Sequence, residues 1–154
     1  MLAWLNFIFL PLAARVCLVV LFPFSGIDKI IHWEDAMAQA KSTPVPLVGP
    51  LLVAAIIVEL VTPFCIVFSW HDHLAAFILA GFCVATAVLY HQFWRFADFW
   101  VRGESVARNH FWDFLKNFGL VGGLLLLIIA GTLLPAQTVL QHPLGSAPNA
   151  AQQN

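Results

Sequence analysis

Residues 48–70 read VGPLLVAAIIVELVTPFCIVFSW, and residues 74–94 read LAAFILAGFCVATAVLYHQFW. Only His71-Asp72-His73 separates them. A helix rises 1.5 Å per residue, so about 20 apolar residues cross a hydrocarbon layer about 30 Å thick. Each run meets that length. A segment in lipid must satisfy its own backbone hydrogen bonds, so the pair predicts a helical hairpin across a membrane. The same apolar pattern recurs upstream, from about Phe7 to Ile27, and downstream, from about Phe114 to Leu134. The upstream run has no basic leader and is too long for a signal-peptide core, so it reads as a retained helix. The expected fold is all-α, a four-transmembrane-helix bundle over residues 1–134. Residues 135–154 hold no Lys, Arg, Asp or Glu and predict a disordered polar tail.

Composition agrees with this reading. Of 154 residues, 61% are hydrophobic and 10% charged, and mean hydropathy is +0.87. A soluble chain of this size has too much surface to hide that apolar fraction. Net charge is −1, which excludes a basic footprint for nucleic acid. Cys17, Cys65 and Cys83 all fall within spans and form no Cys-x-x-Cys pair, so dithiol chemistry is unsupported. No phosphate-cradling loop, dinucleotide fingerprint or His-Glu-x-x-His is present.

The links differ in kind. Residues 28–47 carry Ile30, Trp33 and Met37 at helical spacing and predict a short helix on the membrane surface. Residues 95–113 carry Phe96, Phe99, Trp100, Phe111 and Trp112, aromatics suited to the headgroup level. Lys29, Lys41, Arg95, Arg102, Arg108 and Lys116 belong to these two links or their borders. Positive charge is retained on the cytoplasmic side, so both termini are expected outside. Small residues at Ala76 and Ala80, and at Gly119 and Gly123, allow close helix approach, within the bundle or against a partner.

Ionisable groups inside a bilayer cost a few kcal/mol each and need a reason. Arg15 and Glu59 lie near the middle of the first two spans, which are antiparallel. A structural ion pair between them is expected, each relieving the other's desolvation. A second group gathers toward the link side: Ser25 and Lys29 end the first span, His91 nears the end of the third, and Lys116 and Asn117 open the fourth. Such a patch would bind an anion or the carbonyl oxygens of a quinone, with His91 exchanging the proton. The ordinary alternative is that cations near helix ends reach to the headgroups. His91 and Arg95, four apart, are expected on one face. No second histidine stands at the depth of His91, so a bis-histidine haem is not expected. His71-Asp72-His73 is too short a signal to assign a metal.

Arg15, the run Phe22-Pro-Phe-Ser25-Gly26-Ile-Asp-Lys29, the pair Glu59-Leu60, His91 with Phe93, and Phe114-Leu-Lys116-Asn117-Phe118-Gly-Leu-Val-Gly122-Gly123 occur in that order on four spans. In this the chain resembles the DoxX family of small four-helix bacterial membrane proteins, over roughly residues 11–130. The resemblance implies a multi-pass protein of the bacterial inner membrane. Some relatives are membrane subunits of quinone-linked oxidoreductases, and others accompany stress-response complexes. One departure is Pro63, which follows Glu59-Leu60 where a glycine-rich step is usual and predicts a kink.

Three functions follow as expectations. The first is a membrane subunit of a quinone-linked oxidoreductase, holding a quinone head group or small anion among Ser25, Lys29, His91, Lys116 and Asn117. It would have no intrinsic redox cofactor, so a redox-enzyme partner would supply electrons. The second is a non-catalytic anchor for such an enzyme. The third is a small-solute carrier, disfavoured because no inverted repeat is visible. Homo-oligomerisation is left open.

Overall fold

The computed structural model describes residues 9–130, so residues 1–8, the boundary at 134 and the tail from 135 lie outside the described residues. All four spans are present as helices: residues 10–31, 48–67, 72–95 and 106–129. The first is built from α1 (Leu10–Val19) and α2 (Leu21–Ile31). Pro23 has no N–H for the carbonyl of Val19, which interrupts the ladder while Val20 keeps helical angles. α3 (Trp33–Lys41) is a short helix in the first link, where one was expected, set off from α2 by the non-helical His32. α4 (Val48–Val67) and α5 (Asp72–Tyr90) form the hairpin. A 3-10 turn (Phe93–Arg95) leads toward α6 (Val106–Ala130).

Lipid, rather than water, explains which side chains face outward. Phe77, Ile57, Leu126 and Ile129 are exposed, whereas α5 turns Ala75, Ala76, Ala80, Cys83 and Ala87 inward. Small inward residues bring α4, α5 and α6 close enough for Ile66, Leu79 and Leu124 to be fully buried. Ala76 and Ala80 therefore pack the bundle. The glycine step of α6 is divided. Gly123 meets Leu18 of α1, while Gly119 and Gly122 face open space. Against α4, the close approach belongs to Gly26 of α2. A Cβ there would lie 3.1 Å from Leu60 Cδ2 and 3.3 Å from Glu59 Cβ. The glycine step missing after Glu59-Leu60 is thus supplied by the facing helix.

The second span ends at Val67 rather than Trp70 and the third begins at Asp72, so the turn falls at residues 68–71; two other boundaries differ more. The first span reaches Ile31 rather than Ile27. The last helix starts at Val106, well before Phe114, because its N-terminus is capped twice. Ser105 Oγ accepts the Arg108 N–H at 3.1 Å, and Asp98 accepts from Val106 and Ala107 at 2.7 and 3.1 Å. Arg108 ties the loop down by donating to the carbonyls of Phe99, Val101 and Gly103. Gly103 alone in this loop takes a positive φ, +91°.

Desolvation pulls the Asp98 carboxyl up, but the N–H groups of Ala107 and Val106 outweigh it and hold the carboxyl below its ordinary range. A lowered folded value stabilises the fold above the unfolded value and is lost as pH falls through the folded one. Protection of the Val106 and Ala107 amides should therefore hold near neutrality and fade below about pH 4. Asp98→Asn should expose the same two amides several-fold at pH 7, read by hydrogen exchange corrected for intrinsic rates.

Candidate functional site

A cavity of about 500 Å³ opens in the half of the bundle nearest the first and third links. Its sleeve is apolar, with Leu51, Leu52, Val58, Phe82 and Leu89 from α4 and α5. α3 lies across it with Ala36, Gln39 and Ala40. Four residues expected at a ligand site line this single cavity: Ser25, Lys29, His91 and Asn117. Lys116 does not. Its side chain is 73% exposed and binds Asp113 Oδ1 at 2.9 Å. Adjacent helical residues diverge by about 100°, so Asn117 turning inward sends Lys116 out.

The ion pairing is also different from expectation. Arg15 and Glu59 are not partners. Glu59 accepts from Lys29 Nζ at 2.8 and 2.9 Å and from Ser25 Oγ at 3.0 Å. Lys29 Nζ donates its remaining proton to Ser25 Oγ at 2.6 Å. Arg15 Nη1 instead lies 2.7 Å from Asp72 Oδ2 and donates to the carbonyl of Ile66 at 2.6 Å. The reason is register. Gly26 is the residue that faces Glu59, and Arg15 lies eleven residues upstream, about 16 Å along the axis. The span's extension to Ile31 moves its centre past Val20, which leaves Arg15 near the hairpin end.

This pairing sets the electrostatics of the cavity. Three ammonium protons meet three acceptor contacts, and the lysine and glutamate charges cancel. The Glu59 side chain is 4% exposed, so it is a charge that only Lys29 makes tolerable. No cationic side chain lining the cavity is left over for an anion. What remains for a ligand stands at the other end. His91 caps α5, and its Nδ1 is buried without a hydrogen bond. That atom is 3.9 Å from Asp113 Oδ2. The turn at His91 (φ −111°, ψ 50°) ends the helix, so Arg95 does not continue its face. Asn117 Nδ2 donates to the Asp113 carbonyl at 2.9 Å, which aims the amide inward. Thr86 Oγ1 stands 3.5 Å from Asn117 Oδ1 and donates to Phe82 and Cys83 carbonyls.

Glu59, Thr86 and Tyr90 are lining residues that the sequence reading did not gather. Thr86 and Tyr90 are four apart on one face of an otherwise apolar span, a signal that was present. For Glu59 the missing information was the helix register. The site's chemistry is that of a sleeve for an apolar molecule with a neutral, hydrogen-bonding head.

The family described as DoxX matches residues 10–92, a segment that includes Ser25, Lys29, Glu59 and His91. Inner membrane protein YphA of Escherichia coli (strain K12) is 27% identical over 122 residues, 79% of this chain and 83% of its own. Inner membrane protein YqjF of the same organism is 31% identical over 120 residues, 78% of this chain and 82% of its own. No solved structure matches the chain at a significant level.

Proposed function

The chain belongs to the DoxX family of integral membrane proteins, and on that premise we propose that it is the membrane subunit of a quinone-linked oxidoreductase system whose cavity receives a quinone head group. The observation that carries this is the cavity's polarity: an apolar sleeve into which His91 and Asn117 bring hydrogen-bonding side chains. A quinone, when bound, supplies two-electron, two-proton redox chemistry. His91 donates to a head-group oxygen and exchanges the proton. Asn117, held by Asp113, orients the head through its amide. The Lys29–Glu59–Ser25 cluster seals the opposite wall and, being neutral, favours a neutral head over a small anion. α3 covers the side of the sleeve and excludes water.

The remaining parts of the reading follow from it. In this reading a redox-enzyme partner supplies the electrons. The protein sits in the inner membrane like its relatives, with the two cationic links cytoplasmic and both termini outside.

The test is a titration of protein in lipid nanodiscs with a short-chain benzoquinone. Saturable binding is expected, and His91→Ala should weaken it about tenfold, the worth of one hydrogen bond. Absence of saturable binding, or a His91→Ala variant of unchanged affinity, overturns the proposal. Wild-type protein that binds no quinone but retains a dehydrogenase partner returns the anchor function.

A further inference from the structure

We propose that Asp113 and His91 form the proton access route from the aqueous border of the bundle to the cavity. The proposal rests on the quinone reading only for the use to which the proton is put. Four side chains lining the cavity can titrate: Lys29, Glu59, Tyr90 and His91. Lys29 and Glu59 spend their contacts on each other and on Ser25. Tyr90 makes no ion pair among the described residues. Of these, His91 alone stands beside a carboxylate outside the cavity lining, Asp113, whose side chain is 43% exposed and is bound by the exposed Lys116 near the link end of α6.

The groups around the imidazole define the route. From α6 come Asp113, with Oδ2 3.9 Å from Nδ1, then His110, with its ring centroid at 5.8 Å, and Lys116, which holds the other Asp113 oxygen at 2.9 Å. Across the cavity stand Lys29 of α2 and Glu59 of α4, already neutral as a pair. A gap of 3.9 Å is longer than a hydrogen bond, and a small rotation of the Asp113 side chain closes it without a ligand. Lys116 keeps Asp113 from swinging into solvent while leaving Oδ2 to the histidine. The proton arrives at Asp113 Oδ2 from water and passes to His91 Nδ1. Nε2 is then the ring atom that serves the cavity. His110 flanks this path, its ring stacked on Phe96 at 5.1 Å and its own Nδ1 without a hydrogen bond.

The experiment needs no quinone. Protein labelled with 15N-histidine, in ligand-free nanodiscs, reports the exchange of the His91 imidazole proton with water. Asp113→Asn should slow that exchange at pH 7 by about tenfold or more, on the scale of a lost general acid–base partner. Millimolar formate, a small diffusible acid, should restore it, and Asp113→Glu should retain most of the wild-type rate. Wild-type exchange in Asp113→Asn overturns the route. So does slowing in His110→Phe with none in Asp113→Asn, which would move the path to His110. Unaltered fold is checked in each variant by the backbone spectrum. A failed quinone titration overturns the proposed function alone, since the exchange result judges the route by itself.

Discussion

Lys29→Met is expected to destabilise the bundle by about 3–5 kcal/mol, the cost of leaving a buried charge without its partner. Glu59 is the reason. Its side chain is 4% exposed and takes both Lys29 contacts, so without the ammonium it must sit charged in a low-dielectric wall or take up a proton. Glu59→Leu should cost less, because the Lys29 side chain is 26% exposed and can reach toward the headgroups. The double variant Lys29→Met/Glu59→Leu should recover most of the loss, since replacing a buried pair with apolar groups is often neutral. Reversible unfolding in mixed detergent measures all three. A double variant no more stable than Lys29→Met would mean that the charges do not act as a pair.

Arg15→Met is the second large effect, about 2–3 kcal/mol, the scale of hydrogen bonds made by a charged donor. Arg15 joins three segments near the hairpin end: its own helix, the last turn of α4 through the Ile66 carbonyl, and the start of α5 through Asp72. The variant strands a carbonyl and a carboxylate whose side chain is 18% exposed. Double-mutant cycles separate this arrangement from the pairing that span position suggests. Arg15 and Asp72 should couple by about 1 kcal/mol or more, whereas Arg15 and Glu59 should add within about 0.5 kcal/mol, as groups without a shared partner do. Coupling between Arg15 and Glu59 instead would refute the register seen here.

These two pairs also mark where sequence reading succeeds and where it stops. Arg15, Lys29 and Glu59 are identifiable from the sequence as costly charges in or beside spans, and each does have a partner, Arg15 finding its own in Asp72 of the expected turn. The partners were exchanged because depth was judged from span centres. A span of 10–31 rather than 7–27 has its centre three to four residues later, about 5 Å along the axis, enough to change which groups meet. The cavity residues were legible in the same partial way. Ser25, Lys29, His91 and Asn117 were gathered from three spans because polar residues in apolar runs are few. Lys116 does not line the cavity, since proximity in sequence says nothing of the angle between neighbouring side chains on a helix. The early start of α6 has a local mark in Ser105, but the rest of its cap comes from Asp98, eight residues before the first amide that it binds. A cap drawn from that distance depends on how the loop folds back.

By itself the sequence determined the medium, the four spans, the hairpin and the short helix of the first link. Those follow from burial and backbone satisfaction, which act on every residue of a run and tolerate errors of a few positions. Only the tertiary structure decided that Lys29 neutralises Glu59, that Gly26 admits Leu60, and that His91 lines a cavity with Asp113 beside its buried Nδ1. Each of these rests on a contact a few ångströms long between distant parts of the chain. Such contacts change with axial register and helix rotation, and neither is encoded in any one span.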